Sequence, residues 1–157
     1  MTILSSEKVL QQPRALLWRM ASQFEQAPQW FEGVKKTECV SGQVANLGGV
    51  WRANLYWGGL QQIIDFEITE WLEGERFGLR PLNVSVVEDD TELYQIVFNF
   101  KGLADSQTQV TVQCDYEPRH RLAKIKNLMF LRLRYLRRLE SSLAALERVA
   151  GEQPVSS

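Results

Sequence analysis

Apolar side chains along this chain change their period twice. In "RALLWRMASQFEQ", after Pro13, the residues Leu16, Leu17, Met20 and Phe24 recur at the three- and four-residue spacing of one helix face. Pro13 stands where a helix can begin, because the first turn has no partner for an N–H in any case. The spacing predicts a helix of about four turns, preceded by a possible strand over residues 2–11. Pro28 breaks the period, and "QWFEGV" reads as a second short helix or turn ending at Gly33. Trp30 and Phe31 can hold that stretch against a hydrophobic body, while Gly33 lets the chain turn out into an extended segment.

From residue 35 to 118 the period becomes two. Turn signals at "NLGG", "WGGLQ", "LEGE", "EDDTE" and "LADSQT" separate six β-rich runs, the spacing of an antiparallel meander. In "TQVTVQCDYE" Val110, Val112, Cys114 and Tyr116 share one face; in "LYQIVFNF" Tyr94, Ile96, Phe98 and Phe100 do so. One face of the predicted sheet is apolar and the other wet. After Pro118 the period returns to that of a helix over roughly 120–149, free of Gly and Pro. Its apolar positions, among them Ile125, Met129, Leu133, Leu136, Leu139, Leu143 and Leu146, spread over more than one stripe and predict a helix that covers a sheet. "GEQPVSS", residues 151–157, reads as a frayed tail after a single domain over 1–150.

Composition adds little to this picture, but charge adds something. The 157 residues carry a formal net charge of −1, yet 8 of the 18 basic residues fall between Arg119 and Arg138 with no acid among them. Residues 1–118 hold 9 basic and 16 acidic residues, so an acidic body is joined to a basic helix. No run approaches the roughly 18 to 20 apolar residues of a membrane span. "MTILSSEKVLQQ" lacks the basic and apolar blocks of a secretory signal, and a cytoplasmic protein is expected.

Chemistry has few carriers. Cys39 and Cys114 form no metal-binding spacing and His120 is the sole histidine, so neither a metal nor a cofactor is expected; both cysteines read as small apolar strand residues. No phosphate loop, serine elbow or paired-carboxylate motif is present. His120 reads as solvated, and Asp65 and Glu67 fall on the face opposite Phe66 and Ile68.

Several stretches together resemble a known family. "QQPRALLW" looks like a first strand passing through a proline turn into a helix, and "PQWFEGV" is similar to the family's W-x-x-G-V. "LGGVWRANL", "FEITEWLEGERF" and "SQTQVTVQCDYEP" resemble its Gly-rich third strand, its strand with acidic residue and turn, and its late strand running into Y-E-P. The chain resembles the START-like (SRPBCC, Bet v 1-like) superfamily, of the polyketide cyclase/dehydrase and lipid-transport type, over about residues 3–149. The resemblance implies an α+β helix-grip fold: a curved antiparallel sheet of about seven strands around a long C-terminal helix, with two short helices after the first strand.

It also implies a cavity between sheet and helix that binds a small hydrophobic or amphipathic ligand such as a lipid, quinone or polyketide-like molecule. A cyclase/dehydrase-like enzyme in the same cavity is the alternative, with Tyr94, Tyr116 and Arg52 as first candidates for a polar role. Strand alternation makes the expected liners Trp51, Leu55, Phe66, Ile68, Phe77, Tyr94, Ile96, Phe98 and Tyr116, joined by Trp30 and, on the helix, by Met129, Leu133 and Leu136. The basic segment offers a different function, peripheral docking to an anionic membrane or an acidic partner through Arg132, Arg134, Arg137 and Arg138. Binding to nucleic acid is not expected of a chain that is acidic as a whole and lacks a recognised motif. Oligomeric state is open, although Trp57 in "YWGG" could mark a contact.

Overall fold

A computed structural model describes residues 2–41, 47–57, 60–82, 85–87, 91–127, 130 and 132–152. Strand β1 (Thr2–Leu10) leads into helix α1 (Arg14–Ser22) and a 3-10 helix (Phe24–Gln29). Strands β2 (Val34–Cys39), β3 (Val50–Trp57), β4 (Leu60–Leu72), β5 (Arg76–Pro81), β6 (Ser85–Val87), β7 (Thr91–Ala104) and β8 (Gln107–Pro118) follow. Helices α2 (Arg121–Lys126) and α3 (Arg132–Gly151) end the chain. The strands pair antiparallel in the order β1-β8-β7-β5-β4-β3-β2, with β6 added beside the first residues of β7. This is the curved sheet and long C-terminal helix of the helix-grip fold.

Three elements differ from the sequence expectation. The first helix stops at Ser22, because Gln23 leaves helical geometry (φ −83, ψ 87). Phe24–Gln29 then continue as a tighter 3-10 turn. Pro28 there supplies no N–H and its ring would press on the carbonyl of Phe24 in an α-helix. In the structure that carbonyl instead accepts the Thr37 hydroxyl at 2.7 Å, which ties the 3-10 turn to β2. The run expected as one strand over 76–87 is two, β5 and β6, with β5 ending at Pro81, which has no N–H to continue a ladder. The last helix is described as two pieces, with wider π-type turns at Asn127 and Phe130. The turn signals at "NLGG", "WGGLQ" and "EDDTE" fall partly outside the described residues, as do Met129 and residues 153–157.

Strands β1 and β2 are neighbours in sequence order but lie at opposite edges of the sheet. Residues 11–33 therefore cross its whole apolar face, and Gly33, at φ 92, turns the chain back into β2. Helix α3 packs on β1 and α1, burying Leu139, Leu143, Leu146 and Ala150 at helical spacing. Its end is fastened to the start of the crossing by the Gln11 N–H, which donates to Glu147 Oε2 at 2.7 Å. Its middle is fastened to the far end: Ser142 Oγ accepts the Glu32 N–H at 2.9 Å and donates to the Arg138 carbonyl at 2.8 Å.

Candidate functional site

The crossing segment roofs a cavity of about 70 Å³. Phe24, Ala27, Trp30 and Phe31 come from it, together with Ala21 at the end of α1. The floor is built from inward residues of five strands: Val34 and Thr37 of β2, Trp51, Ala53 and Leu55 of β3, Phe66 of β4, Phe77 and Leu79 of β5, Ile96 and Phe98 of β7. The pleat sends the intervening residues to the other side of the sheet. There Arg52 donates to both Asp65 oxygens, at 2.9 and 3.3 Å, and this hydrogen bond and charge hold its guanidinium pKa above the usual value.

Aromatic rings dominate the wall, and they meet mainly edge to face. Phe24 contacts Trp51 and Phe77 at 5.6 and 5.3 Å between centroids, Trp30 meets Phe98 at 5.7 Å, and Phe77 stacks on Phe98 at 5.0 Å. Such pairs add about 0.5–1.5 kcal/mol each beyond the area they bury. Among the described residues the wall has one hydroxyl, on Thr37, which donates to the Phe24 carbonyl. The indole N–H of Trp30 is different. It is buried and has no hydrogen-bond partner among the described residues, whereas Trp18 and Trp71 both donate to Glu73, at 3.2 and 2.8 Å. A buried donor left unsatisfied costs about 1–3 kcal/mol.

A second, smaller cavity of about 20 Å³ lies under the start of α3, between Leu93, Cys114, Tyr116, Tyr135, Arg138 and Leu139. Phe31 and Ile96 belong to the walls of both cavities. Burial pushes the Cys114 thiol up to about 12, so it stays protonated and inert near neutrality. Tyr116 is buried, its hydroxyl donates to Asn127 Oδ1 at 2.6 Å, and burial raises its pKa. Arg138, whose guanidinium stands 5.6 Å from the Tyr135 ring centre, also borders a surface groove of about 570 Å³ with Glu32, Phe130, Leu133, Arg134, Arg137 and Ser141.

Of the expected liners, Trp30, Trp51, Leu55, Phe66, Phe77, Ile96 and Phe98 come together in the larger cavity. The others do not. Ile68 is fully buried in the core but not in that wall, and Tyr116 borders the smaller cavity. A β-bulge between Leu93 and Gln95 inserts an extra residue into β7 and takes Tyr94 out of the inward set; its hydroxyl donates to Glu117 at 3.1 Å, which raises its pKa. Leu133 is exposed on α3, Leu136 is half-buried against the core, and Met129 lies outside the described residues. The larger cavity thus sits beneath the 3-10 turn, and no described residue of α3 lines it, contrary to the expectation of a cavity between sheet and C-terminal helix. Sequence reasoning missed the roof residues Ala21, Phe24, Ala27 and Phe31 and the floor residues Val34, Thr37, Ala53 and Leu79; the helical period at Phe24 and the aromatic density beside Pro28 were the signals for the roof.

Among the described residues no group of three or more His, Cys, Asp or Glu side chains could hold a metal ion, and no helix is long and apolar enough to cross a membrane.

The family model described as polyketide cyclase/dehydrase and lipid transport matches residues 10–139. No curated protein sequence matches the chain significantly. Among solved structures, a protein of Thermus thermophilus superimposes with a TM-score of 0.76 at 17% identity, covering 97% of this chain and 100% of that one. An aromatase/cyclase from Streptomyces sp. R1128 gives 0.73 at 14% identity, covering 96% and 93%. The di-domain aromatase/cyclase BexL of the BE-7585A biosynthetic pathway gives 0.72 at 14% identity; it covers 94% of this chain, which spans 46% of that protein's length. At these identities the likeness is one of fold.

Proposed function

The chain belongs to the polyketide cyclase/dehydrase and lipid transport family, and from that premise we propose that it binds and carries a compact, largely apolar ligand in the cavity under residues 24–31. The supporting observation is the wall itself, which is rich in aromatic rings and, among the described residues, contains no carboxylate, imidazole, amine, thiol or phenol. Small-molecule sites are mostly apolar with a few orienting polar groups. Proton transfer needs a positioned acid or base, and Tyr94 and Arg52 both face away from this wall. Holding a ligand is the better use of such a site than converting it.

Polarity and size narrow the ligand class. An acceptor oxygen on the ligand that met the Trp30 N–H would recover the cost of leaving that donor unsatisfied. A cavity of about 70 Å³ is far below the about 300–1,000 Å³ of drug-sized sites. The roof must therefore lift as a ligand enters, and a 3-10 turn, with its poorer hydrogen bonds, is the element suited to lifting.

Native mass spectrometry of freshly purified protein beside a denatured control tests the proposal. A co-purified small molecule is expected, and Phe98→Trp should displace it by filling the cavity, at a stability cost of about 1–3 kcal/mol that leaves the fold intact. A bound mass that persists unchanged in Phe98→Trp would move the site elsewhere. An empty protein whose melting temperature no apolar aromatic probe raises would end the reading.

A further inference from the structure

We propose that α2 and the first turns of α3 form a docking face for an anionic lipid bilayer. Two independent features converge there. Leu122, Ile125, Phe130 and Leu133 are 64%, 49%, 60% and 55% exposed, an unusual density of large apolar side chains in solvent over twelve residues. The same stretch belongs to the segment Arg119–Arg138, which holds eight basic residues and no acid.

Helical spacing sharpens the pattern. Phe130, Leu133, Arg134, Arg137, Arg138 and Ser141 border one groove at intervals of three and four, so a single outward stripe begins apolar and continues basic. Glu32, from the turn before β2, is the acid on its rim. An interfacial helix needs both parts: apolar side chains that enter the acyl boundary and cations that meet the headgroups, each worth about 1 kcal/mol near an anionic surface. A nucleic-acid backbone would use the cations but leave Phe130 and Leu133 idle. This charge and apolar pattern favours the bilayer.

The voids give the face a purpose, and this part rests on the ligand-binding reading. Arg138 borders both the groove and the smaller cavity, and Phe31 with Ile96 borders both cavities. A ligand leaving a bilayer at this face meets Arg138 first and the Phe31–Ile96 partition next. The docking itself stands on charge and exposure alone.

Flotation of the full chain with vesicles decides the matter. Phosphatidylcholine vesicles containing about a third phosphatidylglycerol should bind it at about 50 mM salt, while pure phosphatidylcholine vesicles and about 500 mM salt should abolish binding. Arg132→Ser with Arg137→Ser should weaken the affinity more than about tenfold, since each cation contributes about fivefold. Phe130→Ser with Leu133→Ser should weaken it several-fold at each salt concentration at which the unaltered chain still binds. All four residues are exposed, so an unchanged melting temperature separates lost docking from lost folding. No binding to the anionic vesicles at low salt overturns the proposal, as does binding by both double variants equal to that of the unaltered chain. Salt-sensitive binding of random duplex DNA without vesicle binding would replace the bilayer with nucleic acid. The mass-spectrometric outcome for the cavity is independent of all these results.

Discussion

The two halves of α3 are one helix in two environments. From Leu139 onward it is core: Leu139, Ser142, Leu143, Leu146, Val149 and Ala150 are buried against β1 and α1. Before Leu139 it is mostly surface, where Arg132, Leu133, Arg134 and Arg137 are exposed and only Tyr135 is fully covered. Leucines occur in both halves, so residue type does not distinguish them; what lies beneath does. The second half has a sheet edge and a helix to pack on, whereas the first passes over a small cavity rimmed by Tyr116 and Cys114. The breadth of the apolar stripe thus reflects two surfaces laid end to end.

Substitution should separate the halves most sharply at equivalent residues. Leu143→Ala, at a fully buried position, is expected to cost about 2–5 kcal/mol in urea denaturation. Leu133→Ala should stay within about 0.5 kcal/mol, and similar losses at the two positions would break the comparison. Ser142 marks the boundary, since its hydroxyl bridges the Arg138 carbonyl and the Glu32 N–H. Ser142→Ala should cost about 1–2 kcal/mol and loosen the turn that carries Trp30 and Phe31. Weaker ligand binding in that variant, beyond what its stability loss explains, would show that α3 braces the cavity roof.

Cys114 offers the finest probe, beneath the boundary itself. Burial raises its folded pKa from the ordinary 9.0 to about 12, so above pH 9 the unfolded chain loses the proton while the folded chain keeps it. Stability contributed by the neutral thiol is whole below pH 9 and is lost as pH climbs from there towards 12. Between about pH 8 and pH 10 the wild type should lose about 1 kcal/mol more than Cys114→Ala. Parallel losses would mean that water reaches the thiol under α3.

The architecture was legible because period carries it. The alternation of Val110, Val112, Cys114 and Tyr116 places all four inside, as the structure has them, and the leucines at 139, 143 and 146 mark the packed side of α3. Period fails where one residue is inserted: the bulge at Leu93/Gln95 turns Tyr94 outward although the sequence has it in step with Ile96 and Phe98. It fails also where two distant segments meet. Phe24 and Phe31 line the cavity because the chain crosses from one sheet edge to the other above Phe77 and Phe98, a fact of topology that local spacing does not contain. The same limit explains Leu133, which has the spacing of a core leucine but lies exposed on the surface of α3.

The edge position of β1 has a consequence for how the chain is born. Thr2 pairs with Tyr116 and Leu10 with Thr108, so β1, once made, has to wait for its partner strand β8. At about 5–20 residues per second, that wait is on the order of ten seconds. Throughout it, a strand with open backbone groups is available to another nascent chain. Glu7 and Lys8, both exposed and on opposite faces of the strand, put charge beside its open edge and discourage that pairing. The α3 leucines that finally cover β1 arrive later still, so native burial of β1 is completed only once α3 has been made.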